Sequence, residues 1–234
     1  MAKKNSSLVA RIFTWVIAAL LVAFLFIPTF TVKSDVVVGD SSETVFSTTV
    51  SVKDVLSVAF LSEEARDEKL ADITAERTEA IAKLVLDGEK EADATKKVNT
   101  YSYSKQYALL KYFDSETEDA VLGIAANSWL VIVAVLEIVM LVALALVAFY
   151  SYMCMQYDNV TLPKWNKAFA IVAGLAGLFI SLILMICVKG GGVLTANKAI
   201  LNFFGYVFMA LSVYLPLHVI FLFKGRKSYM KNKK

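Results

Sequence analysis

Glu137 is the residue of this sequence best suited to chemistry inside a membrane. It is the only charged side chain within residues 120–157, which are otherwise apolar or neutral. An ionised carboxylate is costly in hydrocarbon, so such a residue either faces neighbouring helices or holds a proton. The sequence therefore predicts that other helices position Glu137, either as a packing residue or as a site for a proton or a cation.

Small residues mark the faces that those helices use for packing. The predicted packing positions are Ala134 and Ala145 on the Glu137 helix, Ala170, Gly174 and Gly177 on the next, and Ser212 and Pro216 on the last. Small side chains let helix backbones approach closely. Counted from the outer helix ends, Glu137, Ser181 and Tyr206 lie about seven or eight residues deep, roughly 10–12 Å at helical rise. We expect these three residues to share one polar layer.

Two interpretations of this layer remain open. In the first, a neutral Glu137 is hydrogen-bonded to Ser181 or Tyr206 and fixes how the helices dock, since buried polar residues stabilise membrane bundles. In the second, Glu137 is a proton or cation site, because intramembrane carboxylates commonly mark transport pathways. The first interpretation needs no ligand, whereas the second requires one.

The residues needed for other kinds of chemistry are missing. The chain has one histidine, His218, and two cysteines, Cys154 and Cys187. The cysteines fall at opposite ends of different predicted helices, too far apart for a disulfide. There is no metal-ligand cluster, no phosphate-binding loop, no Cys-x-x-Cys and no serine-nucleophile elbow. We therefore expect no enzyme activity, no bound metal and no cofactor.

Four predicted membrane-spanning helices position Glu137. Hydrophobic residues make up 58% of the 234, more than a soluble domain tolerates. Runs long enough to cross a bilayer cover residues 12–32, 128–150, 168–188 and 199–223. Because no small-x-small cleavage signature follows the first run, we interpret it as a retained signal anchor.

The distribution of lysine and arginine predicts the orientation of these spans. Residues 1–11, the loop 151–167 and the tail 224–234 carry 3, 2 and 6 of these residues. The short loop 189–198, in which residues 189–192 are expected to form a flexible turn, carries 2. Under the positive-inside rule both termini are cytoplasmic, and the membrane is the plasma membrane. The basic tail is expected to contact anionic lipids rather than nucleic acid.

Residues 33–127 then form an extracytoplasmic domain of α+β type. Residues 36–38 and 44–50 flank Gly39-Asp40 and predict a β-hairpin. Ser62 caps a predicted helix that stops at Asp87-Gly88, and residues 89–113 predict a second helix that completes a helical hairpin. The domain holds 19 acidic and 11 basic residues and no cysteine, which favours a bacterial, single-membrane origin. The predicted packing face of the second helix contains Tyr101, Tyr103 and Tyr107.

Together these features predict an all-α membrane protein, a four-helix bundle with a small α+β outer domain. We expect a non-enzymatic subunit or scaffold that presents its acidic outer domain to a protein partner or to another copy of itself. The contact is expected along the small-residue stripe from Ala170 to Ser181 or through the outer helices. The alternative is a subunit of an oligomeric channel or transporter in which Glu137 binds the proton or cation.

Overall fold

The computed structural model describes residues 2–38, 41–98, 126–157, 161–186, 189–192 and 195–231. This part of the chain is mostly helical and carries one antiparallel sheet. The helices are α1 (Ala2–Phe26), α2 (Val52–Ala59), α3 (Glu63–Leu86), α4 (Glu91–Val98), α5 (Ala126–Gln156), α6 (Leu162–Ile186) and α7 (Phe203–Lys231). The strands are β1 (Phe30–Val38), β2 (Ser41–Val50), β3 (Lys189–Gly192) and β4 (Thr195–Leu201).

Four long helices form the core of the molecule. α1 packs against α5 and α7, and α6 packs against the same two helices from the other side. Among the described residues, three segments are long and apolar enough to cross a membrane: Ser128–Gln156, Leu162–Ile186 and Phe203–Phe223. The apolar part of α1, Arg11–Phe26, is shorter.

The first predicted span is wrong at its C-terminal end. We expected a helix over residues 12–32, but α1 ends at Phe26 and β1 begins at Phe30. Pro28 explains the change, because proline has no N–H to donate and disfavours helical geometry in the residue before it, Ile27. The β-branched residues that follow suit a strand.

The other predicted boundaries also move. α5 and α6 extend into the predicted loop 151–167, and α7 continues to Lys231, through most of the predicted tail. Pro163 lies in the first turn of α6, where its missing N–H has no helical partner to lose. The last span starts at Phe203 rather than at residue 199, because residues 199–201 belong to β4.

The sheet has the strand order β2-β1-β4-β3. The predicted hairpin is confirmed, since β1 and β2 pair antiparallel from Phe30 with Val50 to Val38 with Ser41. The expectation of a flexible turn at residues 189–192 is wrong, because these residues form β3, which pairs with β4, and β4 in turn pairs with β1. Glycines weaken a strand by themselves, so the pairing of β3 with β4 outweighs the local preference here.

A hydrogen-bonded junction joins the sheet to the bundle at the end where α1 stops and α7 starts, which we call the sheet end. The Asn202 side chain caps α7 by accepting from the Gly205 N–H, 3.0 Å away, and donates through Nδ2 to the Pro28 carbonyl oxygen at 2.8 Å. The Asn202 N–H donates to the Thr29 carbonyl oxygen, and the Thr29 N–H donates to the Val50 carbonyl oxygen. The junction therefore ties α1, α7 and the β1–β2 hairpin together.

The predicted helix after Ser62 is confirmed. The Ser62 side chain accepts from the Ala65 N–H at the start of α3, and Gly88 has a φ of +94° just beyond its end. Of the predicted second helix over residues 89–113, Glu91–Val98 form α4, and residues 99–113 lie outside the described part of the chain. The predicted tyrosine face and Cys187 lie outside the described residues. α2 was not predicted at all.

Candidate functional site

Glu137 lies on the buried seam of α5. Its side chain is only 2% exposed. Residues on this seam alternate at spacings of three and four, the pattern of helices that pack along their length. The seam contains Leu130, Val133, Glu137, Met140, Leu144, Val147, Ser151 and Cys154, all buried. Glu137 therefore faces protein and not the outside of the bundle.

The predicted packing role of Ala145 is wrong within the chain, although Ala134 is buried as expected. Ala145 is exposed, whereas its neighbour Leu144 is buried. Ala145 is eight residues from Glu137, which places it about 80° around the helix. Leu144, seven residues away, stays within about 20° of Glu137. The buried side of α5 is therefore marked by the three- and four-residue spacing of its side chains and not by their small size.

α2 lies against the bundle beside Glu137. It packs on α5 and α1, and it buries Val52, Val55, Val58 and Ala59. A capping box starts the helix: Ser51 Oγ accepts from the Asp54 N–H, and Asp54 Oδ2 accepts from the Ser51 N–H at 2.8 Å. Sequence reasoning missed α2, although the pattern Ser-x-x-Asp followed by apolar residues at spacings of three is a helix-start signal.

The two charged residues of α2 are close enough to interact electrostatically with Glu137. They are Asp54, which repels an ionised Glu137, and Lys53, which attracts it. Lys53 Nζ sits 5.2 Å from the centre of the Phe26 ring, over the last residue of α1. α2 thus places one acidic and one basic side chain near Glu137.

One carboxyl oxygen of Glu137 lacks a hydrogen-bond partner in the described part of the chain. This atom, Oε2, is fully buried. The predicted bond from Ser181 does not form, because Ser181 Oγ donates to the Gly177 carbonyl oxygen of its own helix at 3.1 Å. Tyr206 does not contribute either, since it is 51% exposed on α7.

Ser181 nevertheless lies at the depth of Glu137. Asn166 Nδ2 donates to Ser151 Oγ at 3.0 Å, which fixes α6 against α5. Glu137 lies 14 residues from Ser151, about 21 Å along α5 towards the sheet end. The same number of residues from Asn166 along α6 leads to Ile180, next to Ser181, so these residues lie at the same depth as Glu137. The structure therefore brings two of the three predicted residues to one layer and leaves Tyr206 outside it.

The small-residue stripe of α6 packs inside the chain. A Cβ added at Gly174 would lie 2.5 Å from the Ser212 carbonyl oxygen and 2.8 Å from Pro216 Cδ. A Cβ added at Gly177 would overlap Ser212 Oγ. Pro216 leaves the Ser212 carbonyl without its helical N–H partner, and that carbonyl faces Gly174. The predicted packing faces of α6 and α7 are thus confirmed as partners of each other.

This packing rules out one predicted contact surface. Ala170 and Ser181, at the two ends of the stripe, are buried within the chain. A partner cannot reach the stripe without opening the bundle. The exposed surface of the long helices is instead rich in large apolar side chains, among them Val142, Phe179 and Phe221, as a lipid-facing surface requires.

A second polar group ties the helices together at the opposite end of the bundle. Arg11 Nη1 donates to the Cys154 carbonyl oxygen at 2.9 Å, which satisfies a carbonyl in the last turn of α5. Asn166 and Ser151 are both fully buried and bonded to each other. Sequence reasoning did not find this pair, because nothing in a single sequence shows which residues of two helices meet.

The helix α3 differs from the bundle helices in carrying a charged, solvent-exposed surface. Lys83 Nζ lies 2.8 Å from Glu79 Oε1 one turn away. This hydrogen bond and the attraction between the charges lower the pKa of Glu79 and raise the pKa of Lys83. Beyond the pair, Leu86 is 85% exposed at the end of the helix. The surface of α3 is thus charged, whereas the exposed surfaces of the bundle helices are largely apolar.

Within the described ranges, no three His, Cys, Asp or Glu side chains are grouped closely enough to hold a metal ion. The layer around Glu137 contains one carboxyl group, and its charged neighbours Asp54 and Lys53 both lie on α2. Such a site suits a proton or a single cation rather than a metal that needs several ligands. No protein-family model matches the chain, and no curated protein and no solved structure shows significant similarity to it.

Proposed function

We propose that the chain is a non-enzymatic integral membrane subunit or scaffold. In this proposal α1, α5, α6 and α7 all cross the plasma membrane, both termini are cytoplasmic, and the sheet and α3 lie outside. The acidic outer domain then binds a protein partner or another copy of the chain. The basic tail contacts anionic lipids on the inner side.

The junction around Asn202 is the observation that carries this proposal. A flexible linker would let an outer domain move independently of the membrane. Here the Asn202 side chain bonds to Pro28, just after the end of α1, and to the first turn of α7, and β4 leads directly into α7. An outer domain held in this way keeps a fixed position over the membrane, which is what a presenting scaffold needs.

The packing of α1 supports the count of four spans. Its apolar part, Arg11–Phe26, is short for a bilayer. It nevertheless contacts α5 and α7, and it buries Ile17, Leu21 and Leu25 at spacings of four. Exposed apolar residues on the other side, such as Val16 and Leu20, suit contact with lipid.

Burial of the small-residue stripe directs the search for a partner to the outer domain. Because Gly174 and Gly177 pack on Ser212, larger residues there are expected to damage the chain itself. Charge reversal on the exposed face of α3, for example Glu79→Lys, is expected to weaken partner binding and leave folding intact. The matched control is Lys83→Gln on the same face.

Co-purification from native membranes in a mild detergent tests the proposal. The expected result is a particle larger than the single chain, reduced by Glu79→Lys and unchanged by Lys83→Gln. A monodisperse monomer that captures no partner would rule out the scaffold. Access of an impermeant thiol reagent to cysteines placed in α3 and in the C-terminal tail tests the orientation, which fails if both are labelled from one side.

A second candidate function rests on the buried Oε2 of Glu137, which has no hydrogen-bond partner within the described ranges. A subunit of an oligomeric channel or transporter could use this carboxylate as its proton or cation site. Glu137→Gln keeps the shape of the side chain and removes its ionisation. Unchanged ion flux in reconstituted vesicles would eliminate this role.

A further inference from the structure

We propose that Glu137 is a proton-binding site which opens towards the sheet end of the bundle beneath α2, and that its proton holds α2 in place. The proposal does not require that ions cross the membrane. It concerns how the outer domain is seated on the bundle, and it therefore goes beyond both functions proposed above.

The first step is the state of the carboxyl group. Glu137 is 2% exposed, and its Oε2 has no hydrogen-bond partner among the described residues. Burying an ionised carboxylate without a partner costs several kcal/mol, whereas the protonated group costs much less. The site as it stands therefore holds a proton.

The second step is the direction from which the proton comes. On α2, Asp54 and Lys53 are close enough to interact electrostatically with Glu137. The parts of α1 and α6 that pack against α5 on either side of Glu137, residues 12–26 and 168–186, contain no ionisable side chain. Asp54 is only half-buried, and its Oδ2 is already held by Ser51. Among the described residues, the polar route from Glu137 to water therefore runs beneath α2.

The third step links the proton to the position of α2. Lys53 is exposed and lies over the Phe26 ring, so its ammonium group does not form an ion pair with Glu137. If Glu137 loses its proton, the nearby carboxylate of Asp54 repels it more strongly than Lys53 attracts it, and hydration of Glu137 requires α2 to move away. The seated state binds one proton more than the released state. Seating of α2 therefore strengthens as the pH falls and weakens as the pH rises through the titration of Glu137.

Cysteine accessibility on α2 measures the seating. Val55 is fully buried against the bundle, whereas Ser57 on the same helix is exposed. Single cysteines are introduced by Val55→Cys and Ser57→Cys into a variant whose two native cysteines are replaced by serine. The protein is studied in lipid nanodiscs, where both sides are accessible, so the result does not depend on membrane orientation. The ratio of the two labelling rates cancels the intrinsic pH dependence of the thiol.

The expected result is a labelling ratio that is low at acidic pH and rises with pH, approaching about tenfold per pH unit where one proton is released. Glu137→Gln is expected to keep the ratio low at every pH, because its amide cannot ionise. In the unsubstituted protein, the hydrogen-exchange rates of the α2 amides, corrected for intrinsic rates, must rise with pH in the same way. This measurement needs no substitution, so misfolding of the cysteine variants cannot produce its result.

A ratio that does not change with pH in the parent background overturns the proposal. So does a rise of the same size in Glu137→Gln, which would assign the effect to another group. The proposal also fails if labelling of the thiol introduced by Val55→Cys depends on the sodium concentration and not on the pH. In that case Glu137 would bind a metal cation instead of a proton.

Discussion

The contact between α6 and α7 gives the most direct test of the fold. Gly174 faces the Ser212 carbonyl oxygen and the Pro216 ring, and neither can rotate away from an added methyl group. We predict that Gly174→Ala destabilises the protein, although alanine is ordinarily the better helix former.

The magnitude follows from the distances. A Cβ at Gly174 would lie 2.5 Å from the Ser212 carbonyl oxygen, whereas ordinary contact begins at 3.4 Å, so the helices must separate. A separation of about 1 Å in a packed core costs about 1–3 kcal/mol. The higher helix propensity of alanine offsets at most about 1 kcal/mol. We expect a net loss of about 1–2 kcal/mol in the free energy of unfolding.

The assay is equilibrium unfolding of the purified protein in mixed detergent micelles, followed by tryptophan fluorescence. Ala168→Leu on the exposed side of α6 adds more bulk and is expected to change little. Gly177→Ala provides a second comparison, because its Cβ would overlap the Ser212 side chain and not the backbone. Ser212→Gly should therefore relieve the loss caused by Gly177→Ala and leave the loss caused by Gly174→Ala.

Three results would refute this reasoning. A neutral or stabilising Gly174→Ala would mean that α6 and α7 are farther apart than described. A loss of equal size in Ala168→Leu would assign the effect to general disturbance of the helix. Equal relief of both glycine variants by Ser212→Gly would remove the distinction between backbone and side-chain contact.

Three further predictions concern the polar contacts. Asn202→Ala removes the α7 cap and the bond to Pro28, and should lower the free energy of unfolding by about 1–2 kcal/mol. Hydrogen exchange measures this effect as a loss of protection in β1 and β4. Asn202→Asp keeps the cap and is the control, with a smaller expected loss. Asn166→Ala and Ser151→Ala should each destabilise, with a coupling of about 1 kcal/mol in a double-mutant cycle; strict additivity would contradict the bond between them. Asp54→Asn weakens the capping box and should raise hydrogen exchange in α2 more than in α3, whereas a uniform rise would contradict a local role for the box.

Features encoded within a few residues could be predicted from the sequence. The start of α3 at Ser62 and its end before Gly88 follow from a cap and a glycine in the left-handed region. The β1–β2 hairpin follows from branched residues on both sides of Gly39-Asp40. Signals of the same kind were present at Pro28 and at Ser51 and Asp54, and they account for the end of α1 and for α2.

Features that depend on distant pairing could not be predicted. β3 consists largely of glycine, and only its pairing with β4, which itself pairs with β1, makes it a strand. The burial of Glu137 was predicted, but its environment was not, because that environment depends on α2. Ala145 shows the same limit, since residue size alone does not tell which side of a membrane helix packs and which meets lipid.

The pairing of β1 with β4 has a consequence for biosynthesis. β1 is synthesised long before its neighbour β4, which runs from Thr195 to Leu201. Until β4 is made, one edge of β1 has no strand beside it, and an unpaired edge is prone to wrong association. The sheet can therefore be completed only after residue 201 has been synthesised, and a product truncated before residue 195 would leave that edge of β1 exposed.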